Sequence, residues 1–313
     1  MLEVIKNIYQ IKSESPFRYP MNTYFIDDEK SCLIDTSAEE VPRTLIKGLE
    51  AIGRSLVDIN YVLISHVHYE HVRSLAYIKE HAPNCRVLAS PRNADYLMNF
   101  EKYTKLVFQK YREELHAIPG LYEFYHPLFT PIKSIQNVEV IKEGDLISLG
   151  NHTLEVIETS GHCTEEISFY CQQNHILFSS DFIIGDAIET WIATIPVIYD
   201  YNGDRKKYLA NLQKIANMKE RFDLIYPAHG AIISNPKEKI ESLLSMKSKA
   251  PNRILKILGS GPKTLIELVE HFFGKKYEKT RKFYNSSRMI RALLNYLLEE
   301  GRITKKDNHY FII

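Results

Sequence analysis

Three histidines and a carboxylate fall within six residues of Ser65-His66-Val67-His68-Tyr69-Glu70-His71, directly after the apolar run Tyr61-Val62-Leu63-Ile64. A short apolar run closed by a polar cluster reads as a buried strand, so the cluster sits where the strand ends, a place where loops carry chemistry. Side chains two apart in an extended segment project to the same side, which lets His66 and His68 converge on one point. A helix is predicted over Val72–Glu80, with Val72, Leu75 and Ile78 on one face; Glu70 and His71 open it and turn toward a second point. Taken singly, a glutamate in a first helical turn can serve only the macrodipole, and a histidine at a strand end can be satisfied by polar neighbours. Three histidines in this spacing favour metal, and the geometry suits two adjacent ions. Imidazole and carboxylate without thiolate suit zinc first, then iron or manganese.

With 313 residues the chain has room for one large unit and a small one, and 44% hydrophobic content permits a sizeable core. A formal net charge of +1 argues against a protein ruled by attraction to nucleic acid or anionic membrane. No apolar run approaches the roughly 18 residues of a membrane span, and residues 1–17 lack the pattern of a secretory signal. The four cysteines, Cys32, Cys85, Cys163 and Cys171, have no Cys-x-x-Cys spacing and read as free thiols of a reducing, cytoplasmic compartment.

Strand patterns over Val4–Ile11, Asn22–Ile26, Ser31–Asp35 and Arg86–Ala89 alternate with helical ones over Val41–Ile52 and from Arg92, an α/β layer arrangement. From about Phe100 to Ile132 the chain is helical and then irregular, dense in aromatics such as Tyr103, Phe108, Tyr111, Tyr122 and Phe129. This insertion is read as core, as a lid over the metal cluster, or as both. A second strand-rich half follows, with strands over Val138–Lys142, Asp145–Ser148, His152–Thr159, Glu166–Cys171 and His175–Ser179. The next metal-capable residues again stand at strand ends: His162 after Thr159, Asp181 after Ser179-Ser180, and His229 after Leu224-Ile225-Tyr226. Alone, each fits a turn or a helix cap; their shared placement makes the joint reading the stronger one.

The series His66-x-His68-x-Glu70-His71, His162, Asp181, His229 resembles the ligand set of the metallo-β-lactamase superfamily, and Leu33-Ile34-Asp35-Thr36 and Pro227-Ala228-His229-Gly230 match its early and late motifs. The resemblance runs from about Asn22 to Ile233. It implies an αββα sandwich with a dinuclear site at one edge, His66, His68 and His162 holding one divalent ion, Glu70, His71 and His229 a second, and Asp181 bridging both. Three positions depart from the family pattern. Glu70 replaces an aspartate, Val72-Arg73-Ser74 replaces a glycine pair, and Cys163-Thr164-Glu165-Glu166 lacks the usual proline and glycine. An empty second site, and with it a regulatory protein, is one outcome these departures allow. The oxygen-reducing diiron branch has a glutamate where this chain has His68, so hydrolysis is preferred to redox chemistry.

Residues 1–245 are therefore expected to form the catalytic domain, with the insertion at about 100–132. Residues 246–313, with Pro251 at the boundary, show helical patterns over Arg253–Leu258, Thr264–Phe273 and Ser287–Glu300, then two short strands around Lys305-Lys306-Asp307-Asn308. Three helices and a hairpin resemble the winged-helix domain of thioesterase-like and endoribonuclease-like relatives. The run from Gly274 to Lys282 is a phosphate-contacting patch or a solvated loop. The expected activity is hydrolysis by a metal-bound hydroxide, with Asp181 orienting it and Glu70 as the second catalytic carboxylate. A thiolate leaving group needs little protonation, and the aromatic insertion suits an apolar acid, so a small-molecule thioester or ester comes first. Phosphodiester cleavage in nucleic acid, with the C-terminal domain as the grip, comes second. No membrane partner is expected, and a homodimer is compatible with these readings.

Overall fold

Strands that alternate their side chains between two packed faces build the centre of the molecule. The computed structural model describes residues 1–14, 20–110, 112–117, 122–123, 126, 132–185, 203–246, 249–274 and 282–313. The first sheet has seven strands in sequence order: β1 (Leu2–Ile5), β2 (Ile8–Ser13), β3 (Met21–Ile26), β4 (Cys32–Ile34), β5 (Tyr61–Ile64), β6 (Arg86–Ala89) and β7 (Val138–Val140). Pairing is antiparallel from β1 to β4 and parallel from β4 to β7. Parallel neighbours need crossovers. These are supplied by α1 (Arg43–Ala51), by α2 (Tyr69–Val72) with α3 (Leu75–His81), and by α4 (Pro91–Met98), α5 (Phe100–Lys110) and α6 (Arg112–Ala117).

The second sheet runs β12-β11-β10-β9-β8, from β8 (Leu146–Ser148), β9 (Thr153–Glu158), β10 (Ile167–Cys171), β11 (Ile176–Ser180) and β12 (Leu224–Pro227). Its last pair, β11 and β12, is parallel, crossed by α7 (Arg205–Asn217), which the sequence patterns had not marked. Period-two alternation sorts the strand residues into layers. Tyr61, Leu63, Ile34 and Leu88 meet Val156, Ile167, Phe169 and Phe178 between the sheets. On the outer face of the first sheet, Val62, Ile64 and Val87 pack under Leu45, Leu49, Leu75 and Ile78. Ile157, Tyr170, Leu177 and Ile225 do the same under Tyr208, Leu212 and Ile215. The result is the expected αββα sandwich.

Local differences from the sequence reading have local causes. The single strand expected over Val4–Ile11 is a hairpin, because Asn7 takes the left-handed conformation at φ 63° and turns the chain. The helix expected over Val72–Glu80 is two pieces, parted where Ser74, at φ −90° and ψ 2°, leaves helical geometry before α3. In the insertion, Phe100, Tyr103 and Val107 of α5 are buried in the first core, which supports the core reading for that stretch. Phe108 and Tyr122 pack against that core and form, with His126, a partly buried ring cluster with centroids 5.2–5.4 Å apart. Tyr111 and Phe129 lie outside the described residues.

After α8 (Pro236–Ser245) come α9 (Lys249–Leu258), α10 (Leu265–Phe273), α11 (Lys282–Glu299) and the hairpin β13 (Ile303–Lys306) with β14 (His309–Ile312). Pro251, expected at a boundary, is buried in the first turn of α9, where proline costs no internal hydrogen bond. These helices enclose their own core of Ile254, Leu258, Leu268, Phe272, Leu293 and Tyr310. One side of α11 also reaches the sandwich, through Ala292 and through Tyr296 beneath the Arg205 guanidinium. The basic positions 275–281 lie outside the described residues. All four cysteines are buried thiols, and no described helix is long and apolar enough to cross a membrane.

Candidate metal centre

The ends of β5, β9, β11 and β12 deliver their following residues to one edge of the sandwich, as open α/β sheets do at the carboxyl ends of parallel strands. After Ile64 the chain stays extended through His68, at φ −62° and ψ 149°, and only then enters α2. That places His66 and His68 before the turn and Glu70 and His71 within it. The structure brings all seven expected residues together. His66, His68, His162 and Asp181 form one group, and Glu70, His71, His229 and Asp181 form another, the donor atoms of each lying within 4.8 Å of one another.

Asp181 belongs to both. Its Oδ2 lies 3.4 Å from His162 Nε2, 3.7 Å from His71 Nε2 and 3.9 Å from His66 Nε2, while its Oδ1 lies 3.5 Å from His229 Nε2. Glu70 reaches the second group despite its extra methylene, with Oε1 3.9 Å from His229 Nε2. His68 presents Nδ1, 3.1 Å from His162 Nε2.

Hydrogen bonds behind the rings fix which nitrogen faces inward. His71 Nδ1 donates to Asp35 Oδ2 at 2.8 Å, and His229 Nδ1 donates to the Pro20 carbonyl at 3.1 Å. Ser65 Oγ gives its one proton to Asp35, so it can only accept from His66 Nδ1, 3.0 Å away. Each of these rings therefore carries its proton on Nδ1 and turns the Nε2 lone pair to the centre, the arrangement a metal-ligating histidine requires. Burial, with His71 and His68 close by, pushes His66 well below the usual histidine range. Burial also opposes charge on His71 and Asp181. For His71 the Asp35 and Asp181 carboxylates outweigh it and raise the ring well above its ordinary range, which favours a second proton on Nε2 that a bound cation would displace. For Asp181 the neighbouring His229 and His71 outweigh it and hold the carboxyl well below its own.

These residues fit a divalent ion. His66 Nε2, His71 Nε2 and Asp181 Oδ1 are buried and make no hydrogen bond among the described residues, a costly condition that a cation relieves. Neutral imidazoles with carboxylates and no thiolate are the donor set of zinc, iron or manganese. The cluster is able to bind metal ions.

Two glycines let the histidine loops close. Gly230, at φ +86°, would bring a Cβ within 2.5 Å of the Gly185 carbonyl oxygen, and Gly161 would bring one within 2.4 Å of Tyr208 Cα. Two acidic partners of the site are not marked by spacing in the sequence. Asp35 figured there only as part of a motif, yet it accepts from Ser65 and His71 and anchors both halves of the cluster. Glu166 read as an ordinary strand residue, but it is fully buried with Oε1 accepting from the Asp181 backbone N–H at 3.1 Å. A carboxylate at the head of an otherwise apolar strand was the available signal.

The model of the metallo-beta-lactamase superfamily matches residues 17–229. A beta-lactamase-like protein 2 homolog of Caenorhabditis elegans is 23% identical over 238 residues, covering 76% of this chain and 65% of that protein. An atrochrysone carboxyl ACP thioesterase of Aspergillus fumigatus is 25% identical over 174 residues, 52% of this chain and 49% of that protein. The chain thus spans less than two thirds of either relative. Among solved structures, a metallo-beta-lactamase family protein of Thermus thermophilus superposes with a TM-score of 0.80 at 20% identity, over 99% of this chain and 100% of that one. Motif order, donor geometry and a family match over most of its length agree: the chain belongs to the metallo-beta-lactamase superfamily.

Proposed function

We propose that this chain is a metal-dependent hydrolase that cleaves a thioester or ester of an apolar acyl group. The observation that carries the reading is Asp181 standing between two donor groups in which His66, His71 and His229 have their inward nitrogens set by hydrogen bonds from behind. His66, His68 and His162 would hold one divalent ion with Asp181, and Glu70, His71 and His229 a second, zinc first and iron or manganese after it. Ions bound there activate water near neutral pH and polarise the oxygen of the group under attack. Asp181, between the two groups, accepts a hydrogen bond from the attacking water and aims it. Glu70 is the more open carboxylate, 15% exposed against 7% for Asp181, and faces the approaching substrate.

The leaving group separates substrate classes. A thiolate departs with little protonation, whereas an amine needs a general acid. The fungal relative named as an acyl-carrier-protein thioesterase supports the thioester class, and the aromatic-rich insertion at about 100–132 would suit an apolar acyl part. Four buried thiols support a reducing, cytoplasmic setting.

A second reading has its own observation. We read the three helices and hairpin from about residue 246 as a winged-helix-like domain, and Arg302, Lys305, Lys306 and His309 are exposed on its hairpin. These would suit a phosphodiester substrate in nucleic acid. The deciding experiment compares kcat/KM for aliphatic and aromatic acyl thioesters with cleavage of single-stranded RNA. Thioester turnover that is lost in His66→Ala, with RNA left intact, is the expected result. RNA cleavage that falls steeply with salt while thioesters stay uncut would replace the first reading with the second.

A further inference from the structure

At the end of β11 the chain leaves strand geometry. Its pairing with β12 slips between Phe178 and Ser180, and Ser180 takes the left-handed conformation at φ 50°. This turn aims Asp181 at both donor groups, and it also takes the Asp181 N–H out of the strand ladder. An amide withdrawn from water without an acceptor is destabilising. Glu166 supplies the acceptor, its Oε1 lying 3.1 Å from Asp181 N.

The rest of Glu166 ties in the other site segments. Its carbonyl accepts from Thr159 N at 2.9 Å, three residues before His162, and the next residue, Ile167, donates to the Ser65 carbonyl at 3.1 Å. The strand entry at 166–167 is therefore bonded to the His66 segment, the His162 loop and the Asp181 turn. The side chain is 0% exposed, and Oε2 is buried with no hydrogen bond among the described residues. A carboxyl withdrawn so completely from water is expensive to keep, yet it is none of the seven donors.

We propose that Glu166 is a positioning residue for the metal centre, holding the Asp181 backbone so that the Asp181 carboxylate stays shared between the two donor groups. The proposal rests on the two-ion reading above. Loss of the acceptor frees the 180–181 turn to relax, and the shared ligand then serves one group at the expense of the other.

Cobalt(II) uptake by metal-free protein, followed by visible absorption and by competition with a chelator, tests this without reference to turnover. Glu166→Gln keeps an oxygen able to accept from Asp181 N, and Glu166→Ala removes it; thermal unfolding and far-UV circular dichroism of both check the fold. The expected result is that Glu166→Ala binds its second cobalt 10- to 100-fold more weakly, with altered visible bands, while Glu166→Gln restores the wild-type affinity and spectrum. A folded Glu166→Ala with wild-type uptake and bands would overturn the proposal, as would a Glu166→Gln as impaired as the alanine variant. Wild-type protein that takes up no cobalt would overturn it together with the metal-centre reading, an outcome distinct from the other two.

Discussion

Asp35 Oδ2 and His71 Nδ1 stand 2.8 Å apart, both side chains buried, and the same carboxylate accepts from the Ser65 backbone and hydroxyl. One residue outside the donor set thereby orients His71 directly and His66 through Ser65. Asp35→Asn leaves one oxygen for three donors, so an amide N–H must face another donor whichever way it turns. The expected effect is a 10- to 100-fold loss of metal affinity with the fold retained, read by chelator competition and circular dichroism.

Glu70 tests whether the departure from the family aspartate is a defect. Its carboxylate reaches His229 as it stands, so Glu70→Asp withdraws it by one methylene, about 1.5 Å. The expected outcome is weaker uptake of a second ion and slower hydrolysis. A gain in occupancy and rate would support the regulatory reading, in which glutamate degrades the site.

Far from the cluster, the Asp28 carboxylate also ties two turns together. Its oxygens accept from the Glu29, Asn151 and His152 backbone amides, from Asn151 Nδ2 and from His152 Nδ1, clamping the β3–β4 turn to the turn before β9. Burial opposes its charge, but the bonds from Asn151, Glu29 and His152 outweigh burial and hold its pKa below the usual carboxylate range. A depressed folded value contributes stability that is present above the unfolded pKa of about 3.9 and is lost as pH falls through the folded one. Asp28→Asn should therefore cost about 2 kcal/mol at pH 7, and the gap from wild type should narrow as urea unfolding is repeated toward pH 3.

Gly230 sets the exit from His229. At φ +86° and against the Gly185 backbone, an alanine is strained both in conformation and in space. Gly230→Ala should lower stability by about 2 kcal/mol or more and weaken the second group of donors more than the first. Thermal unfolding with and without added zinc reads both effects.

Much of this was legible in the chain because the histidine cluster follows an apolar strand, and strand ends in an α/β sandwich converge on one edge. His162, Asp181 and His229 could be ranked with the cluster on placement alone. Asp35 and Glu166 were harder to see, since a second row of partners carries no spacing signal and is defined only when distant strands pair. Asn7 and Ser74 broke predicted elements through backbone conformations that apolar periodicity does not record. The α7 helix has a modest apolar face and buries Arg205, so its pattern did not stand out.

The measurement that bears most directly on the central claim is metal content per chain by mass spectrometry on anaerobically purified protein, with His66→Ala and His229→Ala beside it. The account predicts about two divalent ions per wild-type chain, one or fewer retained when either group loses a histidine, and hydrolysis lost with them. Less than one ion of any kind in the wild type, with both variants unchanged, would contradict it.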